Sequence, residues 1–281
     1  MLARRIPTIL PNLTFEEALE ITKIHSIAGE LKEDLITQRP FRSPHYTISA
    51  SSIIGGGRIP KPGEISLAHY GILFLDELPE FNRETLEVLR GPLEDRKVTI
   101  SRVATTVTYP SNFMLIASMN PCECGYYGSD IKKCACNLKS IKRYIHKISG
   151  PMLDRIDMHI EVKPVEYEKI AQSNKPETSE KIKERVDKAR QIQLERYHGM
   201  EILCNAELDS AGLDKFCKLD SKSHEIMEKA FKKFRLSARA HDKILKISRT
   251  IADLDNSKDI QYKHIAEAIQ YRSLDTKYFG D

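Results

Sequence analysis

The stretch Ile72-Leu73-Phe74-Leu75 runs straight into Asp76-Glu77. A run of apolar residues bounded by turn and charged residues has the length and composition of a strand buried on both faces. The two acids that end it are costly inside a sheet but cheap at its carboxyl edge, where open α/β proteins place ligands. A second run, Phe113-Met114-Leu115-Ile116-Ala117, leads into Ser118-Met119-Asn120-Pro121. If the two strands are neighbours, the Asn120 amide reaches the same edge as the acids, although Asn-Pro is also a common way to open a turn. In phosphoryl-transfer chemistry an acid at such a strand end holds magnesium and the next orients or activates the attacking water. Asp76 and Glu77 are the candidates for those two parts.

Between the two runs, Arg83 to Leu93 predicts a helix with Leu86, Leu89 and Leu93 on one side, while Val98–Ile100 and Val103–Tyr109 predict a hairpin rich in Val and Thr. Strands alternating with helices imply an α/β core with a parallel or largely parallel sheet, running to about residue 164. After Pro164 the texture turns helical. Ile182, Val186 and Ala189 share one stripe, and Ala240, Ile244, Ile247, Ile251 and Leu254 share another. A last helix, His264 to Arg272, follows the polar turn Asn256-Ser257-Lys258-Asp259. The expected organisation is a core domain over 1–164 and a helical lid domain over 165–281, with the stripes serving as ordinary core packing.

A chain of 281 residues, 41% hydrophobic and 30% charged, is expected to fold as a soluble globular protein. It contains no apolar run approaching the roughly 18 residues of a membrane span. The opening Met1-Leu2-Ala3-Arg4-Arg5-Ile6-Pro7 lacks the apolar stretch of a secretory signal. The expected location is cytoplasmic, with no membrane partner. A net charge of +4 permits contact with a polyanion without defining a dedicated basic binder.

Four of the six cysteines crowd together as Cys122-Glu123-Cys124 and Cys134-Ala135-Cys136, with Gly125 and Gly128 between the pairs. Four thiolates can surround zinc tetrahedrally and leave no open position for chemistry, so a zinc here would hold the loop. The one-residue spacing inside each pair is tighter than usual, and an iron–sulfur cluster or unliganded thiols remain alternatives. Lys132, Lys133, Lys139, Lys142, Arg143 and Lys147, with Tyr126, Tyr127 and Tyr144 interleaved, form either a nucleic-acid-facing knuckle or a solvated charged face.

The stretches Arg39-Pro40-Phe41-Arg42-Ser43-Pro44-His45, Pro62 to His69, Gly71 to Phe81 and Gly150 to Asp157 closely resemble the ComM/YifB group of magnesium-chelatase-like AAA+ ATPases. The resemblance extends in order from the first residue to about Arg272. It implies a P-loop-type AAA+ core with a parallel sheet and a C-terminal helical lid. It further implies a ring, hexameric when complete, that hydrolyses ATP with Mg2+ and acts on branched or single-stranded DNA in natural transformation and branch migration. By that resemblance Asp76 and Glu77 match the Walker B acids, Asn120 matches sensor 1, Arg155 the arginine finger and Arg239 the sensor 2 arginine. A guanidinium suits such parts because it is always charged and its fork clamps phosphate oxygens. On residue type alone, either arginine reads more readily as a surface ion-pair partner than as a phosphate clamp. The hairpin flanked by Arg96, Lys97 and Arg102 resembles the insertion before sensor 1, which faces the pore in related rings.

No Gly-Lys dipeptide occurs in the sequence, so a Gly-x-x-x-x-Gly-Lys-Ser/Thr phosphate loop is not within it. By the resemblance, Met1 to Pro7 match the helix that follows that loop. The expectation is a fragment lacking Walker A and the preceding central strand, with severely reduced nucleotide affinity and orphaned ladder groups in the sheet. Two rival readings stand beside the ATPase. One is a non-hydrolysing, zinc-containing DNA- or partner-binding remnant, and the other is a magnesium-chelatase ATPase subunit acting on a porphyrin.

Overall fold

A computed structural model describes residues 2–102, 105–129, 132–162, 177–234 and 236–272. The chain divides into two compact units, one built from Asn12–Arg155 with the segment ending at Pro7, the other from Thr8–Pro11 and Ile156 onward. The expected domain limit at residues 164/165 lies outside the described residues.

In the first unit, helix α1 (Phe15–Ala28) is fixed at its start by a reciprocal cap. The Thr14 hydroxyl accepts from the Glu17 N–H, and the Glu17 carboxylate accepts from the Thr14 N–H. Strand β1 (Phe41–Arg42), helix α2 (Ala50–Ile54), the antiparallel pair β2 (Gly55–Gly56) and β3 (Lys61–Pro62), and helix α3 (Glu64–Leu67) lead to strand β4 (Ile72–Leu75). Helices α4 (Arg83–Glu87) and α5 (Arg90–Asp95), the hairpin β5 (Lys97–Arg102) and β6 (Thr105–Pro110), strand β7 (Met114–Ala117), and helices α6 (Leu138–Ile145) and α7 (Gly150–Leu153) follow.

The main sheet has the order β1-β4-β7 and is parallel throughout, with Ile72 opposite both Phe41 and Met114 and Leu75 opposite Ala117. The central strand explains the uninterrupted apolar run, since Ile72, Leu73 and Leu75 are fully buried. Its entry is tight. A Cβ on Gly71 would stand 2.1 Å from the Pro40 carbonyl oxygen, and the Ile72 N–H donates to that same oxygen at 2.8 Å. β7 is an edge strand among the described residues, and Met114 is 45% exposed. The Met114 N–H donates to Gly71 and the Ser118 N–H to Leu75. Even-numbered residues therefore bond to β4, and the N–H and C=O groups of Leu115 and Ala117 point off the open edge.

The single helix expected over Arg83–Leu93 is instead the two short helices α4 and α5. Pro92 is the reason: in a continuous helix its ring would meet the Val88 carbonyl and offer it no N–H. Beginning the second helix at Arg90 puts Pro92 in the first turn, where a missing donor costs nothing. The expected hairpin forms over Lys97–Arg102 and Thr105–Pro110, with Val103, the expected start of the second strand, outside the described residues. One face buries Val98, Ile100 and Tyr109, and the other carries hydroxyl pairs, Thr99 with Thr108 at 2.9 Å and Ser101 with Thr106 at 3.0 Å.

The second unit is helical, with α8 (Ser179–Arg196), α9 (Ser210–Phe216), α10 (Ser221–Phe234), α11 (Ala238–Leu254) and α12 (Tyr262–Gln270). Tyr197, Leu213, Met227, Ile244 and Ile265 form its core. The α11 stripe behaves as expected over Ala240, Ile244, Ile247 and Ile251. Leu254, the last residue of the helix, departs from it and is 48% exposed. Under the stripe sits an ionic knot. The Asp253 carboxylate, wholly buried, accepts from Arg196 at 2.8 Å, from Arg249 at 3.2 Å and from Asn205 at 2.8 Å. No helix among the described residues is long and apolar enough to cross a membrane.

Candidate functional site

The parallel register brings the ends of β4 and β7 level, so Asp76 and Ser118 emerge side by side. The Ser118 hydroxyl donates to Asp76 Oδ1, which also accepts from the Glu77 N–H at 3.1 Å. Both bonds fall on one carboxylate oxygen, and no described group bonds Oδ2. An exposed carboxylate held by one oxygen and open at the other fits a hard cation. The chain then turns sharply. Glu77 takes a left-handed backbone with φ of 55°, and the Leu78 N–H donates back to the Ser118 carbonyl at 2.9 Å. For a residue other than glycine that conformation is strained, and such strain collects at functional turns. The Asp76 and Glu77 side chains are both exposed. Sequence reasoning identified the acids but passed over Ser118, whose only signal was its place at the end of the neighbouring apolar run.

Asn120 lies two residues beyond Ser118 at the same end of the sheet and is exposed. Its backbone N–H faces the phenol oxygen of Tyr144, a buried residue of α6. Burial, with Glu80 and Glu77 adding to it, pushes the Tyr144 phenol up to about 12, so the group stays neutral.

Arg155 is engaged within the first unit. Its Nε donates to the Arg90 carbonyl at 3.0 Å, one terminal nitrogen to the Pro151 carbonyl at 2.7 Å, and the other to Glu94 at 2.8 Å, leaving the side chain 9% exposed. Arg239 belongs to the helical unit, where it is exposed in the first turn of α11. Of the sequence-predicted residues, the sheet edge thus gathers Asp76, Glu77 and Asn120, while Arg155 is spent on its own unit. On the hairpin, Lys97 and Arg102 are exposed at opposite ends of β5.

The four cysteines converge. Cys122 Sγ lies 3.4 Å from Cys124 Sγ and 3.7 Å from Cys134 Sγ, Cys124 and Cys134 are 3.6 Å apart, and all four sulfurs fall within 4.8 Å of one another. Tetrahedral zinc with bonds of about 2.3 Å sets its sulfurs roughly 3.8 Å apart, so the cluster has the size of such a site. Backbone donors are aimed at the sulfurs as well. The Cys136 N–H donates to Cys134 Sγ at 3.4 Å, and the N–H groups of Tyr126 and Ala135 hold the Cys124 thiol down to about 6. Glycines in left-handed turns at Gly125 and Gly128 reverse the chain between the pairs. Around the cluster, Lys132 lies over the Tyr126 ring and Lys147 over the Tyr144 ring.

A parallel sheet whose neighbouring strands end in acids and a polar amide, joined in sequence to a helical unit, fits the AAA+ class, to which the family matches assign the chain. Within that class the chain belongs to the magnesium-chelatase family. The family model for magnesium chelatase, subunit ChlI, matches residues 1–170, and that for the ChlI C-terminal part matches residues 176–272. Competence protein ComM of Haemophilus influenzae is 44% identical over 276 residues, which is 98% of this chain and 53% of that protein. The uncharacterized protein YifB of Escherichia coli is 43% identical over 277 residues, 98% of this chain and 54% of its own length. A protein of Mycobacterium tuberculosis is 35% identical over 275 residues, covering 97% of this chain and 54% of itself. The chain therefore spans about half the length of the curated relatives it matches.

Proposed function

We propose that this chain is the catalytic half of an ATP-driven ring motor of the ComM/YifB kind, cytoplasmic and acting on DNA. The observation that carries the reading is the pairing of Asp76 with Ser118 across two adjacent strand ends, with Glu77 and Asn120 beside them. Magnesium bound to the phosphates of ATP would neutralise charge developing on the transferred group, and Asp76 Oδ2 is the oxygen available to it. Glu77 orients and deprotonates the attacking water, and Asn120 holds that water or the terminal phosphate. Arg239 belongs to the lid's contribution, and Arg155 acts on a neighbouring subunit's nucleotide once it leaves Glu94. The cysteine cluster holds a structural zinc. That the Haemophilus relative is a competence protein supports DNA as the polymer, and the hairpin bearing Lys97 and Arg102 is suited to touch phosphates without reading sequence.

The phosphate-cradling loop is not among these 281 residues, so turnover is expected only when such a loop is supplied. The test compares ATP hydrolysis by the chain alone with that of the chain joined to the loop-bearing half of a relative. Turnover in the joined protein that disappears in Asp76→Asn and Glu77→Gln supports the reading, and turnover untouched by either substitution refutes it. A second reading, a zinc-containing DNA-binding remnant that never hydrolyses ATP, draws on the Lys and Tyr surface around the cluster. It predicts DNA binding by the chain alone that ATP leaves unaltered.

A further inference from the structure

We infer that the metal in the four-cysteine cluster is a positioning device for Asn120, with Tyr144 as the residue that transmits it. The cluster and the asparagine are one mechanical piece. Cys122, fully buried, follows Asn120 by two residues, and the Cys122–Gly125 turn folds back so that a Cβ on Gly125 would lie 3.9 Å from the Asn120 Cγ. On the other side of the cluster, Asn137 follows Cys136 directly and caps α6 by accepting from the Ser140 N–H at 2.8 Å. That helix delivers Tyr144, 4% exposed, to the Asn120 backbone N–H. The asparagine is thus walled by the turn that starts the cluster and by the helix that leaves it.

A cation binding all four thiolates ties these two walls together. Without it, the sulfurs of Cys122, Cys124 and Cys134 at 3.4 to 3.7 Å, with Cys136 within 4.8 Å, keep only weak thiol contacts, and the arms are free to part. The consequence for catalysis rests on the reading of Asn120 as part of the nucleotide site, but the mechanical link does not.

The link can be read directly in protein labelled with 15N-asparagine, with the Asn120 signal identified by its loss in Asn120→Gln. Zinc is quantified by elemental analysis of the reduced protein, and one ion per chain is expected. Stripping it with a chelator should shift or broaden the Asn120 amide signal while the Asn205 signal of the helical unit stays in place. Tyr144→Phe, which removes the phenol oxygen, should shift the Asn120 signal with zinc still bound at one per chain. If stripping unfolds the first unit altogether, exchange of the zinc for the larger cadmium ion replaces it, and an Asn120 signal unmoved by the exchange overturns the inference. An Asn120 signal unmoved by Tyr144→Phe, or a chain that takes up no zinc, overturns the inference. Magnesium-nucleotide binding is titrated separately: its absence would sink the ATPase reading and leave the Asn120 result standing.

Discussion

The Ser118 hydroxyl donates to Oδ1 of Asp76, joining the ends of two adjacent parallel strands and leaving the second carboxylate oxygen without a bond from a described group. Ser118→Ala removes the tether without altering the acid. Asp76 then samples other rotamers, and a productive geometry must be found anew at each encounter with a cation. The expected result in loop-supplied protein is a several-fold rise in the magnesium concentration needed for half-maximal hydrolysis, with smaller loss at saturating magnesium. Asp76→Asn should lose activity at every magnesium concentration.

Glu77 occupies a left-handed backbone that only glycine takes without strain. Glu77→Ala and Glu77→Gly both abolish the carboxylate, but only glycine relieves the conformation, which costs about 1 kcal/mol in other residues. The glycine variant should melt above the alanine variant in a thermal scan, and both should be inactive. The reverse order of melting would show that the turn is not strained.

Arg155 offers a test of whether it is an intersubunit residue alone. Three hydrogen bonds inside its own unit give it a structural part in the lone chain, and truncation removes one donor each from two carbonyls and Glu94. Arg155→Ala should lower the unfolding free energy of the isolated protein by about 2 kcal/mol in urea. Arg155→Lys should recover little, because a point ammonium cannot reproduce the three-way fork.

In the helical unit, Asp253→Ala strands Arg196 and Arg249 without the carboxylate they share. Breaking one side of a buried ion pair costs about 3 to 5 kcal/mol. Urea unfolding of the variant should show a loss on that scale, whereas Glu225→Ala, at an exposed pair with Lys229, should cost far less.

Much of the framework was visible in the residues. The run Ile72–Leu75 spelled out a central strand because both its faces are buried, and the acids after it could lie only at the carboxyl edge. The hairpin and the α11 stripe followed from their periods of two and of three to four. What stayed hidden depends on contacts distant in sequence. Ser118 looks like any serine until β7 is set in register with β4, and Asp253 reads as one more surface acid until Arg196 arrives from another helix. Arg155 offers no local clue that Glu94 and two carbonyls have claimed it. The break at Val88 was within reach of local rules, since Pro92 stands where a continuous helix would need an N–H; the leucine spacing masked it.

Among the described residues nothing pairs with the outer rim of β7, which bears on how the lone chain handles in solution. Backbone groups at Leu115 and Ala117, flanked by the uncovered Met114, form a template that any extended peptide can complete. Chains meeting there would stick to one another by backbone zipping, in number and order unrelated to a motor ring, and size measurements on the lone protein would register that stickiness as assembly.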